Sequence, residues 1–542
     1  MAILPPQVSA EAFAEAIRRF QAVVGAEWVF TVDEDVGLYR DSYSPAWGEG
    51  DEKLASAAVA PISADQVAAI VRIANEHRIP LYPISTGMNL GYGGSAPVLS
   101  GSVVVDLKRM NKIIEIDDVR GYAIVEPGVS YFDLYRYIQD HGLNLWIDTP
   151  DPGWGSVIGN ALDHGVGYTY GAYRDHFYSH SGMEVVLPTG EIMRTGMGAL
   201  PGAKSWGEYH YGFGPYVDGL FSQGSAGIVT KMGIHLMPAP EAYLSCMARV
   251  PRRDDIIPLV AEVNRLEHAG LIGMPNYGSP WSQSRDPALQ ALIGRPDGWN
   301  AAEVDRFVIN AGMPYWEVNL QFYGPEATTT ANWEYAKAKI AAAVAGATFA
   351  EVERLRFPLT EEQKHNARHR VAIGVPNLEI FFIGARSAFN PTPSDGHVWF
   401  SPVIPKSGEA ILDFQETMSK AVRDAGGFPG GLGGYGPFSA PATWMYRTFI
   451  MISGLPVARN NPEFNKRSRA LFDRLIDVAA QKGWGEYRTH PLFYDKIMST
   501  YNFNDNALLR FHERIKDAID PNGIIAAGRS GIWPKYLRGS QR

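Results

Sequence analysis

Cysteine is nearly absent from this sequence, since its 542 residues contain one, Cys246. A single cysteine excludes an intrachain disulfide and any metal site built from several cysteines. Basic residues are also in deficit, because 49 lysines and arginines face 58 aspartates and glutamates, giving a net charge of −9. A mildly acidic chain without a basic block argues against nucleic acid as the main partner.

Long hydrophobic runs are missing as well, and no stretch of about 18 apolar residues suggests a membrane-spanning helix. The first 20 residues lack a basic region followed by an apolar run, so no secretory signal is visible. Hydrophobic content of 46% and charged content of 20% are an ordinary globular balance. The sequence therefore predicts a soluble, cytoplasmic protein with no membrane or nucleic-acid partner.

The sequence pattern predicts a mixed α and β organisation. Residues 11–24 place apolar side chains at helical spacing, Ser63 is a cap for a second helix, and Thr189-Gly190 is typical of a hairpin turn. Glycine clusters are frequent up to about residue 240 and again in the C-terminal tail, while longer helical patterns fill the middle. This shift predicts a discontinuous first domain with a second domain inserted into it.

The first glycine cluster, at 86–97, follows a predicted strand and contains four glycines. Successive backbone N–H groups in such a turn form a concave anion site, because no Cβ blocks the approach. The cluster is not a G-x-G-x-x-G entering a helix, and no P-loop motif occurs, which excludes the two common nucleotide signatures. The alternative interpretation is an ordinary set of tight turns.

Seven motifs in order resemble the vanillyl-alcohol oxidase and 4-cresol dehydrogenase family of FAD enzymes, and within it the bacterial eugenol oxidase branch most. They cover nearly the whole chain apart from roughly 377–480. The motifs are PISTGMNLGYGGSAP (83–97), VEPGV (125–129), GSVIGN (155–160), HGVGYT (164–169), GIVTK (227–231), GEYRTH (485–490) and GIIAAGRSGIW (523–533).

The resemblance implies an α+β, two-domain FAD-binding fold of the vanillyl-alcohol oxidase type. Residues 1–240 and 485–542 would form the discontinuous FAD-binding domain, and 241–484 the inserted cap domain. It also implies that FAD is held by a set of cofactor-binding residues, those at the diphosphate coming first: Ser85, Thr86, Gly87, Asn89, Leu90, Gly91, Pro127, Gly128, Ser156, Gly159, Asn160, Gly227, Ile228 and Arg529.

For the catalytic residues, the resemblance implies that Tyr92, Tyr487 and Arg488 bind a substrate phenol as its phenolate. An arginine keeps its charge, and two phenolic hydroxyls add hydrogen bonds to the same oxygen. Asp151 matches an aspartate near flavin N5, where it would stabilise positive charge or activate water. Tyr168 matches a tyrosine of the substrate pocket, near Asp151.

His397 matches the histidine that carries FAD covalently at its 8α-methyl group in this family. The cresol dehydrogenases use a tyrosine instead, and the corresponding stretch here, EIFFIG, has phenylalanines. Arg368 resembles the arginine at the flavin N1/C2 edge, where a cation would stabilise reduced flavin; Arg370 is its rival.

Several features depart from the family pattern. Met88 stands where relatives carry Arg or Lys, and 169–177 is longer than usual. The loop 426–441 does not follow the cap sequence, and 42–53 lacks the family's additional histidine. His176 and His180 are spaced by four residues, but two histidines without a third ligand do not make a zinc site, so we predict no metal.

The resulting prediction is an FAD-dependent oxidase of 4-alkylphenols or 4-hydroxybenzylic alcohols, which reduces O2 to hydrogen peroxide. The alternative is a dehydrogenase that passes electrons to a cytochrome c subunit; His397 and Asp151 favour the oxidase. A flavin-binding protein without turnover and a 2-hydroxy-acid dehydrogenase fit the motifs less well. The short segment 198–215 favours a homodimer over an octamer.

Overall fold

The computed structural model describes residues 3–293, 295, 300–379, 396–427 and 445–539. The chain divides into two compact units. The first contains residues 1–165, 176–237 and 488–542, and the second contains 166–175 and 238–487. The composition predicted a change near 240 and the family resemblance a boundary at 485, whereas nothing in the sequence marked 166–175 as part of the second unit.

Two sheets form the framework of the first unit. The first sheet has the order Val29–Phe30, Ala57–Val59, Val103–Asp106, Leu81–Ile84, in which the first pair is antiparallel and the last three strands are parallel. The second is antiparallel and has the order Ile113–Asp117, Tyr122–Val125, Ile228–His235, His180–Val186, Ile192–Arg194. A further short strand is Leu145–Trp146.

Helices cover the two sheets of the first unit, and each sheet has its own apolar core. Ser9 and Ser63 cap the first and third helices by accepting hydrogen bonds from backbone N–H groups, as a serine at this position does. The helices of this unit are Ala10–Val24, Asp33–Gly37, Ala64–His77, Tyr131–Asp140, Val157–Leu162, Tyr494–Thr500 and Phe503–Ile519.

The second unit is built on an antiparallel sheet with the order Asn276–Gly278, Trp316–Gly324, Ala242–Val250, Thr348–Arg356. Two further pairs are Gly396–Phe400 with Ser453–Val457, and Val403–Pro405 with Thr448–Ile450. The helices are Gly171–Arg174, Ile256–His268, Pro287–Ile293, Ala301–Asn310, Glu326–Ala343, Glu361–Asn366, Gly408–Asp424 and Pro462–Gln481.

Candidate active site

The glycine-rich loop leaves the end of the parallel strand Leu81–Ile84 in the first unit. Gly87 and Gly91 have φ values of +68° and +83°, which L side chains rarely adopt. Within the described part of the chain, none of the N–H groups of residues 86–91 donates a hydrogen bond to another group of the protein. Six successive donors that are not used within the protein, in a glycine turn, can bind an anionic group such as a diphosphate.

The helix Val157–Leu162 begins close to this loop. Ser156 caps it, accepting from the Gly159 N–H at 3.0 Å and donating to the Pro127 carbonyl at 2.6 Å. A Cβ added at Gly159 would lie 2.2 Å from Ser85 Oγ, and one at Gly128 would lie 2.3 Å from the Lys108 carbonyl oxygen. These glycines therefore allow main-chain segments to approach more closely than any other residue would.

A polar network joins the loop to the C-terminal part of the first unit through Asp163. One carboxylate oxygen of Asp163 accepts from Asn89 Nδ2 at 3.0 Å, and the other pairs with Arg529. Arg529 also donates to the Tyr494 hydroxyl, whose pKa is raised by burial. Asn89 and Arg529 were predicted from the motifs, whereas no spacing or motif letter singled out Asp163 or Tyr494.

Arg488 and Tyr92 are 396 positions apart in the chain and in contact in the structure. Arg488 Nη2 donates to the Tyr92 hydroxyl oxygen at 3.2 Å, and the guanidinium carbon lies 4.1 Å from the centre of the Tyr92 ring. Arg488 Nη1 also donates to the Asp163 carbonyl at 3.3 Å. A cation and a phenol so arranged can bind an anionic oxygen together.

A buried histidine fixes the chain just beyond Arg488. His490 Nδ1 accepts from the Leu492 N–H at 3.2 Å, so the proton on Nε2 is donated to Asp41, 2.7 Å away. Both side chains are buried. Sequence reasoning did not identify Asp41 or the role of His490, although the histidine is the last letter of the GEYRTH motif.

Asp151 and Asn160 are two further predicted residues of the first unit. Asp151 is half-buried in the loop after Leu145–Trp146 and forms a cis peptide bond with Pro152. Asn160 accepts a hydrogen bond through its Oδ1 in a group with Tyr131 and His176.

Ile228 opens a central strand and is 1% exposed. The preceding Gly227 has no room for a side chain, because a Cβ there would lie 2.7 Å from Val185 Cγ1.

His397 lies in the second unit, on the strand Gly396–Phe400, where it pairs with Pro456 across the ladder. Its ring is half-buried, and its centre is 4.1 Å from that of Trp399. Burial lowers the pKa of His397 to about 4, so the imidazole is neutral at pH 7. A neutral imidazole has the lone pair that a nucleophile needs. The phenylalanines of EIFFIG lie outside the described residues.

Tyr168 and Tyr487 are both half-buried in the second unit. The chain just before Tyr487 is fixed by a hydrogen bond of 2.9 Å from the Val403 N–H to the Gly485 carbonyl. The Arg368 side chain is exposed, whereas its rival Arg370 is paired with Glu379. The divergent loop 426–441 lies outside the described residues from position 428 onward.

The two histidines considered as zinc ligands each contact an aspartate instead. His176 lies 3.1 Å from Asp148, and His180 lies 3.1 Å from Asp218. Among the residues that the structure describes, no group of three or more His, Cys, Asp or Glu side chains is arranged to hold a metal ion.

Comparison with known proteins identifies the class. Residues 55–196 match the FAD binding domain family, and residues 455–529 match the C-terminal domain family of FAD linked oxidases. The flavoprotein subunit of 4-cresol dehydrogenase (hydroxylating) from Pseudomonas putida is 34% identical, with 98% of each chain covered. The protein is thus an FAD-dependent oxidoreductase, and FAD is confirmed as its cofactor.

Two solved structures extend the comparison over the whole fold. A 4-ethylphenol oxidase from Gulosibacter chungangensis, in complex with isoeugenol, has a TM-score of 0.83 and 36% identity, covering 99% of this chain and 100% of that one. p-Cresol methylhydroxylase with substrate bound has a TM-score of 0.82 and 30% identity, covering 98% and 99%. The chain belongs to the vanillyl-alcohol oxidase and 4-cresol dehydrogenase family of flavoproteins, which confirms the predicted family and fold class.

None of the helices in the described ranges combines the length and the apolar character needed to cross a membrane.

Proposed function

We propose that the protein is an FAD-dependent oxidase of para-substituted phenols, including 4-hydroxybenzylic alcohols and 4-alkyl- or 4-allylphenols. The contact between Arg488 and the Tyr92 hydroxyl carries this proposal, because it is a ready site for a phenolate oxygen. The names of the relatives, 4-cresol dehydrogenase and 4-ethylphenol oxidase, support the same substrate class.

Arg488 stabilises the phenolate because its charge persists at any working pH. A cation within about 4–6 Å lowers the pKa of a phenol by one unit or more. Arg488 donates to the Tyr92 oxygen, so the Tyr92 hydroxyl proton points away from the guanidinium. We assign Tyr487 as the second phenolic donor. Ionisation pushes electron density toward the para carbon, which makes loss of a benzylic hydride feasible.

Loss of that hydride converts the phenolate to a p-quinone methide. An aldehyde forms from this species when the benzylic carbon bears a hydroxyl group; otherwise the species takes up water or loses a proton. We assign Asp151 to the water and proton steps, since a carboxylate acts as a base toward water. Tyr168 is assigned to the pocket around the para substituent.

The described residues of the first unit fit FAD. The N–H groups of 86–91, which no protein group accepts from, suit its diphosphate, and Gly128 leaves no room for a side chain beside the Lys108 carbonyl. Bound FAD would supply a hydride acceptor and, in the oxidase, a route for both electrons to O2, which would give hydrogen peroxide. We propose that neutral His397 would hold FAD covalently and that the charge of Arg368 would stabilise the reduced flavin.

The second candidate is a 4-alkylphenol dehydrogenase that passes its electrons to a cytochrome c subunit. The Pseudomonas putida relative favours it, since it is named as a flavoprotein subunit. His397 and Asp151 favour the oxidase, because the family's cresol dehydrogenases attach FAD through a tyrosine of a preceding strand and carry a serine in place of the aspartate. We propose that the protein is a homodimer, because the segment 198–215 is short. We also propose that it is located in the cytoplasm.

The test is anaerobic mixing of the purified flavoprotein with vanillyl alcohol and a series of 4-alkylphenols, followed by air. We expect the flavin absorbance to bleach and then return rapidly with formation of hydrogen peroxide. Bleaching without return in air would favour the cytochrome-linked dehydrogenase. Absence of bleaching with every para-substituted phenol would contradict the proposed substrate class.

A further inference from the structure

The segment 166–175, which carries Tyr168, is anchored by charges buried in the second unit. Arg174 is 1% exposed and forms an ion pair of 2.5 Å with Glu267, which is 2% exposed. The other oxygen of Glu267 pairs with Lys406, whose ammonium also donates to the Tyr446 carbonyl at 2.9 Å. Three charged side chains buried together are costly unless all are paired, so they impose one arrangement.

Arg174 also fixes the main chain on both sides of Tyr168. Its carbonyl accepts from the Gly167 N–H at 2.9 Å, and its Nη1 donates to the Thr169 carbonyl at 3.4 Å. The residues immediately before and after Tyr168 are therefore both bonded to Arg174. The two Nη atoms of the guanidinium allow one side chain to contact Thr169 and Glu267 at the same time. A lysine has a single ammonium group on a flexible stem and would hold these two partners less well.

Other contacts hold the same segment at its edges. The Met274 N–H donates to the Thr169 carbonyl at 2.9 Å, and the Tyr170 hydroxyl donates to the Tyr323 carbonyl at 2.8 Å. A Cβ added at Gly171 would lie 2.7 Å from the Tyr446 ring. The segment is thus packed closely against the second unit, and Arg174 is its most buried anchor.

We propose that Arg174, supported by Glu267 and Lys406, is a positioning residue that holds Tyr168 in place for the phenolic substrate. This inference rests on the proposed function, which assigns Tyr168 to the substrate pocket. Arg174 does not touch the reacting atoms in this proposal. It sets the main-chain position of Tyr168, and a misplacement of about 1 Å in a substrate-positioning group costs as much as a hundredfold in rate.

The experiment compares Arg174→Lys with Arg253→Lys in the flavin-loaded protein. Arg253 is a suitable control because its guanidinium is 17% exposed, pairs with Asp254 and Glu416, and lies in the same unit. Two measurements are made on each variant: hydrogen exchange of the amides in 166–175, and the anaerobic rate of flavin reduction by a 4-alkylphenol. Tyr168→Phe and the double variant with Arg174→Lys complete a double-mutant cycle.

We expect Arg174→Lys to speed exchange of the amides at positions 167 and 174 and to lower the reduction rate about ten- to a hundredfold. The effect on the rate should largely disappear in the Tyr168→Phe background, because both changes act on one group. Arg253→Lys should change neither measurement. If Arg174→Lys does not fold, Tyr170→Phe is the substitute, because it removes only the hydrogen bond from the Tyr170 hydroxyl to the Tyr323 carbonyl. It should also speed amide exchange in 166–175 and lower the reduction rate, by smaller factors.

Unchanged exchange in 166–175 would overturn the proposal, and so would faster exchange with an unchanged reduction rate. Additive effects of Arg174→Lys and Tyr168→Phe would also overturn it, since the two residues would then act separately. Failure of the proposed function would give a different result, because the flavin absorbance of the unmodified protein would then not be bleached by any para-substituted phenol. The exchange measurement still decides whether Arg174 anchors the segment in that case.

Discussion

Two clusters of paired charge, one in each unit, differ in how deeply they are buried. In the first unit, Arg529 and Asp163 retain 15% and 11% of their side-chain exposure and stand next to residues predicted to hold cofactor or substrate. In the second unit, Arg174, Glu267 and Lys406 retain 1%, 1% and 4% and support a single segment of the main chain. Charges that bind a ligand must stay accessible, whereas charges that fix a framework can be buried if they are fully paired.

This comparison indicates which substitutions should affect chemistry and which should affect architecture. Changes to the accessible charges of the first unit should alter substrate handling with little loss of stability. Changes in the second unit should act through position or through attachment of the cofactor. The predictions below test this division, beginning with the largest expected effect.

Arg488→Met should lower the rate of flavin reduction by 4-alkylphenols about a hundredfold or more. Loss of one partner of a desolvated charge pair costs about 2–5 kcal/mol, and about 1.4 kcal/mol corresponds to tenfold in rate. Stopped-flow absorbance measures the rate, and thermal unfolding should change little. Arg488→Lys, which keeps the charge, should retain part of the activity. A normal rate in Arg488→Met would mean that the phenolate is bound elsewhere.

His397→Ala should abolish covalent attachment of FAD. The flavin of the unmodified protein should remain with the polypeptide after acid precipitation and fluoresce in a denaturing gel, whereas that of the variant should be released. His365→Ala is a matched control, since His365 is an exposed histidine of the same unit. Retention of flavin by denatured His397→Ala would show that another residue forms the bond.

Gly128→Ala should weaken FAD binding and lower the melting temperature, because the new methyl group would lie 2.3 Å from the Lys108 carbonyl oxygen. Overpacking of this kind costs about 1–3 kcal/mol. FAD occupancy and thermal unfolding provide the measurements. Gly50→Ala is the control, since its Cβ would have no neighbour within 4 Å. Equal behaviour of the two variants would contradict the close approach of main chain seen at Gly128.

The smallest effect concerns pH. His397 has a pKa of about 4 in the folded chain and about 6.5 in an unfolded one. The unfolded state therefore binds more protons between these values, and stability rises with pH there. The contribution of neutral His397 should be complete above about pH 6.5 and lost as pH falls to about 4. Denaturant unfolding before flavin attachment should show this slope, and His397→Gln should reduce it.

Much of the first unit could be predicted from local sequence, because its elements follow local rules. Ser63 caps the helix Ala64–His77 and Gly190 turns the hairpin, and both depend on residues nearby in the chain. The glycine loop at 86–97 could likewise be predicted from the sequence, since glycine readily adopts the positive φ angles found at Gly87 and Gly91. The helix Ala10–Val24 follows its apolar period.

The partners of the predicted site residues could not be found in this way. Asp163 contacts Asn89 and Arg529, which are 74 and 366 positions away, and no local pattern encodes such distances. The pairing of His490 with Asp41 spans 449 positions. The partner of a buried carboxylate depends on how several elements pack together, so its role cannot be predicted from the sequence around it.

By itself the sequence determined the residue types available for chemistry and the local elements, because glycine turns and caps are properties of short segments, and the resemblance of its motifs to a known family indicated the family and the cofactor. Tertiary structure decided which charges meet. It brought Arg488 to Tyr92, and it enclosed Arg174 with Glu267 and Lys406 behind the segment that carries Tyr168. The physical reason is that the surrounding residues exclude water from these charged groups, so the free energy of each contact depends on how the whole region packs.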